Sequence, residues 1–139
     1  WRGGAGIVEA DLADWDWLND RLIRTLLHTS RAFHDAIKAS PRGRLVLIST
    51  VETRAPSATN ALYAAAKAAA ETWTLAVADS FKDSNAAAVI LQIKALLTPA
   101  MRAARPDAAF AGYTPVDDLA DTIHDLWLTP AEGLNGQRR

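Results

Sequence analysis

Arg44-Leu45-Val46-Leu47-Ile48-Ser49 is a short, unbroken apolar run that follows the Arg42-Gly43 turn and ends in a hydroxyl. Its length and β-branched residues read as a strand covered on both faces, because a strand with one face in water would alternate polar and apolar side chains. Ala86-Ala87-Ala88-Val89-Ile90-Leu91-Gln92-Ile93 repeats the signature after the turn Asp83-Ser84-Asn85. Between the two lies an alanine-rich segment, Ala61 to about Phe81, whose residues favour helix strongly, with Asn60 placed to cap it. Two buried strands joined by a helix make a parallel crossover unit, expected to be right-handed, and the fold class is α/β with a layered parallel sheet.

Outward from that core, Trp15, Leu18, Leu22, Leu26, Phe33 and Ile37 recur mostly every three or four residues. The spacing predicts a helix over 14–40 with one buried stripe, ended by Pro41. On the other side a loop runs from Lys94 to Thr114-Pro115-Val116-Asp117, which offers a capping residue, a proline at the first helical position and an acid. A helix over 115–128 should follow, with Val116, Leu119, Ile123 and Leu126 as its apolar face, and the last residues should begin another strand. The chain opens in a glycine-rich loop and closes on Asn135-Gly136-Gln137-Arg138-Arg139 without a finishing element. Three strands are few for a parallel sheet, so residues 1–139 are expected to be a single partial domain.

Composition excludes several classes of function. The 139 residues are half apolar and 22% charged, and 15 basic residues offset 16 acidic ones, which is the profile of one globular unit with no electrostatic stripe for nucleic acid or an anionic membrane. No apolar run approaches the roughly 20 residues of a membrane helix. Zero cysteines rule out disulfides and thiolate chemistry, and a cytoplasmic address is expected. His28, His34 and His124 lack metal-like spacing, so no metal is expected. Trp15, Trp17, Trp73 and Trp127 fall in helices, where packing or a subunit interface is the expected use.

Ligands of open parallel sheets bind beyond the carboxyl ends of the strands. Ser49 and Thr50 close the first strand, Thr98 follows the second, and the intervening helix carries Tyr63 and Lys67 at i and i+4 on one face. Any amphipathic helix can carry Tyr-x-x-x-Lys, but here the pair stands beside strand-end hydroxyls. Tyrosine donates a proton poorly near neutrality because its reference pKa is about 10. A nearby ammonium stabilises the phenolate, and Lys67 is placed to supply it.

In this order Ser49-Thr50, Tyr63-Ala64-Ala65-Ala66-Lys67 and Thr98 resemble the short-chain dehydrogenases and reductases. Asn135-Gly136 looks like the family's closing Asn-Gly, and Ile93 to Thr98 occupies the place of its Pro-Gly-x-x-x-Thr. The resemblance implies a Rossmann-like sheet with flanking helices, incomplete because the amino-terminal strands and the phosphate loop are absent. It implies NAD or NADP as cofactor and a small-molecule substrate, a carbonyl, an alcohol or a pterin-like compound. Tyr63 would be the general acid/base. Lys67 would hold the nicotinamide ribose and lower the Tyr63 pKa, while Thr50, thirteen residues before Tyr63, would orient the substrate with Ser49 as its rival. Tyr63, Lys67, Leu96 and Thr98 would touch the cofactor. A homodimer or homotetramer through helices 14–40 and 61–81 is implied as well. Within the family, residues 86–127 look most like dihydropteridine reductase-like members. Lys94 stands where the family has glycine, and the family's helical Asn, expected near Arg21 and Leu22, is missing. These departures favour an alternative, a non-catalytic relative that serves as a dimerising scaffold.

Overall fold

The computed structural model describes residues 2–139. In chain order the elements are α1 (Leu12–Leu18), a π-helical stretch (Asn19–Arg24), α2 (Thr25–Ala39), β1 (Arg44–Thr50), α3 (Ala61–Ser80) and β2 (Ala87–Ile93). β3 (Leu96–Leu97), α4 (Pro99–Ala104), β4 (Thr114–Pro115) and α5 (Val116–Leu128) follow. β1 and β2 pair in parallel, in register from Arg44 opposite Ala87 to Thr50 opposite Ile93. On the other edge of β2 the tail adds a parallel bridge between Ile90 and Arg138. The Ile90 amide donates to Gln137 and the Arg139 amide to the Ile90 carbonyl. Where a further strand was expected the tail forms only this single bridge, and with it β2 is paired on both edges.

Position in the sheet explains the apolar runs. Ala87, Val89 and Leu91 face a cluster with Leu119, Leu126 and Leu134, whereas Ala86 and Ala88 face Val77, Ala78 and Phe81 of the α3 side. Alternate residues serve opposite layers, as the period of two requires, and both layers are dry. Burying one such aliphatic side chain stabilises by roughly 1.5–3 kcal/mol. Asn135 ties the layers together: its Oδ1 accepts from the Ala88 amide at 3.0 Å, and its Nδ2 donates to the Ala78 carbonyl at 2.8 Å. Gly136, at φ +78°, then turns the chain onto β2.

Three local expectations need correction. The helix predicted over 14–40 spans 12–39 and is broken in character by the π-helical stretch. The wider winding rotates the following residues, so Phe33 of the predicted buried stripe is 58% exposed, and Ser30 is buried instead. Asn60 does not cap α3 with its side chain. Its Oδ1 accepts from the Ser57 amide, and its Nδ2 donates to Glu52, closing the short turn ahead of the helix. Thr114-Pro115 is not the first turn of α5. It pairs in parallel with Leu96-Leu97, so the loop expected from Lys94 onward carries β3, α4 and β4.

Candidate functional site

The carboxyl ends of β1 and β2 and the first turns of α3 enclose one cavity of about 250 Å³. Thr50, Tyr63 and Lys67 supply polar lining, Ile48, Ile93 and Leu96 apolar lining, and Ser49, Lys94 and Ala95 complete it. Parallel pairing ends both strands at the same level, Thr50 opposite Ile93, and the i, i+4 spacing on α3 turns Tyr63 and Lys67 to that level. Five of the six candidate residues, Ser49, Thr50, Tyr63, Lys67 and Leu96, thus meet at one place. Thr98 does not. Its Oγ1 accepts from the Met101 amide at 3.2 Å and caps α4, in a neighbouring cleft with Arg102 and Asp117. Pairing of Leu96-Leu97 with β4 directs the chain there.

Lys67 donates from Nζ to the Ile48 carbonyl at 2.8 Å, and the same nitrogen is 5.9 Å from the Tyr63 ring centroid. Burial pulls the Lys67 ammonium below its ordinary pKa, and the Glu71 carboxylate works in the opposite direction. Burial also raises the Tyr63 phenol above 10. The lowering expected from Lys67 is not what this chain shows. Loss of water around the phenolate outweighs an ammonium engaged with a carbonyl. Tyr63 is therefore held as a neutral phenol at neutral pH, the form that gives up a proton.

Ser49 and Thr50 are separated by a carboxylate not anticipated from the sequence. Glu71, only 3% exposed, lies one turn beyond Lys67 on α3. Its Oε1 accepts from Ser49 Oγ at 2.5 Å, Thr53 Oγ1 at 3.1 Å and Gln92 Nε2 at 2.9 Å. Its Oε2 accepts from Arg138 Nε at 3.0 Å. Burial pushes the Glu71 carboxyl upward, but the donors from Ser49, Gln92, Arg138 and Thr53 together hold it below its ordinary value. Ser49 has thus committed its proton to Glu71. Thr50 Oγ1 accepts only a long bond from the Glu52 amide at 3.3 Å, which leaves its proton for a ligand. The sequence signal was there: Tyr63, Lys67 and Glu71 form an i, i+4, i+8 row in an alanine-rich helix, and Gln92 interrupts the apolar run of β2.

The position where the family's helical Asn was expected falls in the π-helical stretch Asn19–Arg24. Trp73 Nε1 donates to Ser30 Oγ at 2.9 Å between α3 and α2, and Trp17 lies under Arg2 and Arg21. Among the described residues no group of three His, Cys, Asp or Glu side chains is arranged to hold a metal, and no helix is long and apolar enough to cross a membrane.

Comparison with solved structures places the geometry in a broader context. The chain is similar to a short chain dehydrogenase/reductase family protein at 20% identity and TM-score 0.76, over 100% of this chain and 60% of that one. It is similar to a gluconate 5-dehydrogenase from Burkholderia cenocepacia J2315, solved with NADP and tartrate, at 22% identity and TM-score 0.75 over 97% of this chain and 57% of that one. A sorbitol-6-phosphate 2-dehydrogenase from Erwinia amylovora shares 17% identity and a TM-score of 0.78, over 99% and 63%. At such identities the likeness establishes the fold, and the chain spans about three fifths of the length of these relatives. Comparison with curated proteins gives no significant match. The family described as short chain dehydrogenase matches residues 3–109, a span that holds both strand ends, Tyr63 and Lys67. With most of its length inside that match, the chain belongs to the short chain dehydrogenase family.

Proposed function

We propose that this chain supplies the proton-transfer half of an NAD- or NADP-dependent oxidoreductase acting on a small carbonyl, alcohol or pterin-like substrate. The observation that carries the reading is the convergence of Thr50, Tyr63 and Lys67 on one cavity beyond the carboxyl ends of parallel strands. The residues present suit a nicotinamide nucleoside. Lys67 spends one of its three N–H donors on the Ile48 carbonyl, leaving two for ribose hydroxyls. Ile48, Ile93 and Leu96 offer an apolar wall for a flat ring. When bound, the cofactor provides or accepts the hydride.

In the reductive direction the Tyr63 hydroxyl gives its proton to the substrate oxygen as negative charge develops there. Lys67 steadies the phenolate left behind, and Thr50 holds the substrate oxygen by donating from its free hydroxyl. Because Tyr63 is protonated across neutral pH, reduction should be flat there, while the reverse oxidation should gain rate as pH rises toward the raised Tyr63 pKa. Leu96 and Thr98 remain the candidates for further cofactor contact. Self-association through helices 14–40 and 61–81 belongs to the same reading, supported by Phe33 standing exposed on α2.

The test is Tyr63→Phe in the full-length protein. Turnover should fall by about 10²- to 10⁴-fold with cofactor affinity nearly unchanged, and unchanged turnover removes Tyr63 from the mechanism. Calorimetric titration with NADH and NADPH decides against the scaffold alternative if either binds.

A further inference from the structure

Lys94 is a charged departure from the family pattern that lies on the cavity itself. It follows β2 directly, is exposed, and lines the same cavity as Thr50, Tyr63 and Lys67. Its Nζ donates to the Ala111 carbonyl at 3.0 Å. Its stem rests against Gly112, where a Cβ would come within 3.2 Å of Lys94 Cδ, and the φ of +77° there suits glycine. Glycine at this position thus leaves room for the lysine stem. Lys94 makes no ion pair among the described residues. Glu71 cannot neutralise it, being buried and already holding four donors. The lining of the cavity therefore includes two lysines, Lys67 and Lys94, and no exposed carboxylate. A neutral substrate would leave that charge unused, whereas an anion would gain a charge-assisted hydrogen bond from the two N–H groups of Lys94 not given to Ala111.

Resting on the oxidoreductase reading, we infer that Lys94 selects the substrate class: it binds the carboxylate of a small oxo acid, or of the matching hydroxy acid, whose carbonyl or carbinol oxygen lies at Thr50 and Tyr63. Ile93 and Leu96 offer apolar lining for the intervening carbon chain. Lys94 is on this account a specificity-determining residue and takes no part in proton transfer.

The test titrates oxamate, an unreactive oxo-acid mimic, and its uncharged ethyl ester into the full-length protein, as wild type, Lys94→Gln and Lys94→Arg. Wild type should bind oxamate, Lys94→Gln should weaken that binding about tenfold, and Lys94→Arg should retain most of it. Ethyl oxamate should bind all three alike. No oxamate binding to wild type, or equal binding to wild type and Lys94→Gln, overturns the inference. So does a Lys94→Gln protein that loses affinity for NADH or NADPH instead, since Lys94 would then serve the cofactor phosphates. Failure of both nicotinamides to bind wild type sinks the oxidoreductase reading by itself, and oxamate discrimination at Lys94 would still support an oxo-acid site.

Discussion

Ser49 and Thr50 are neighbours with a hydroxyl each, and what separates them is a single buried carboxylate. Ser49→Ala removes a donor from Glu71, so its expected effect is on stability, about 1–3 kcal/mol by chemical denaturation. Thr50→Ala removes a hydroxyl that faces the cavity, so its expected effect is on kcat/KM, with the melting temperature nearly unchanged. The reverse pattern would exchange their roles. Glu71 carries a pH signature. Its folded-state pKa lies below the ordinary 4.5, so its contribution to stability is present above that value and is lost as pH falls through the depressed one. The stability gap between wild type and Glu71→Gln should be constant near neutrality and close in acid. A gap that persists unchanged in acid would mean that the carboxylate form is not what the donors hold. Lys67 would lose the opposing charge of Glu71 in the same variant, which ties the structural hub to the proton-transfer pair.

At the scale of elements, the junction of α2 with β1 is where the chain has least room. A Cβ on Gly43 would lie 1.9 Å from the Ile37 carbonyl oxygen, closer than any side-chain rearrangement can relieve because the obstacle is backbone. Gly43→Ala should cost about 1–3 kcal/mol and lower the thermal midpoint, unless α2 can slide along the sheet. The helix upstream illustrates how far periodicity reads. The pattern from Trp15 to Leu26 and the stop at Pro41 were sufficient to predict a helix, but one wider turn at Asn19–Arg24 altered which face meets α3. Nothing in a list of apolar spacings marks such a turn, because it is settled by how the helix docks. Cap residues were less legible still. Asn60 and Thr114 are both good caps by type, yet one closes a separate turn and the other joins a strand.

For the whole molecule, the described sheet has β2 paired on both edges and β1 on one. Residues 87–91 are fully buried while 44–48 of β1 are only partly so, which is the accessibility expected of an edge whose outer neighbour is missing. Expressed by themselves, these 139 residues should associate in a concentration-dependent way through that edge, measurable by size-exclusion chromatography with light scattering. A monomer at all concentrations with a cooperative melt would show that the edge is protected. The sequence by itself determined the α/β class, the bounds of β1, β2, α3 and α5 to within one or two residues, and the row Tyr63-Lys67 on one helix face, whereas β3, α4 and β4 were not legible in it. Apolar run length, helix propensity and i, i+4 spacing are local properties of the chain. Tertiary structure alone decided that Ser49 and Thr50 differ in availability, that Thr98 leaves the cavity, and that burial raises the Tyr63 pKa. Those outcomes depend on which groups from distant segments exclude water together, and no spacing along a single chain carries that information.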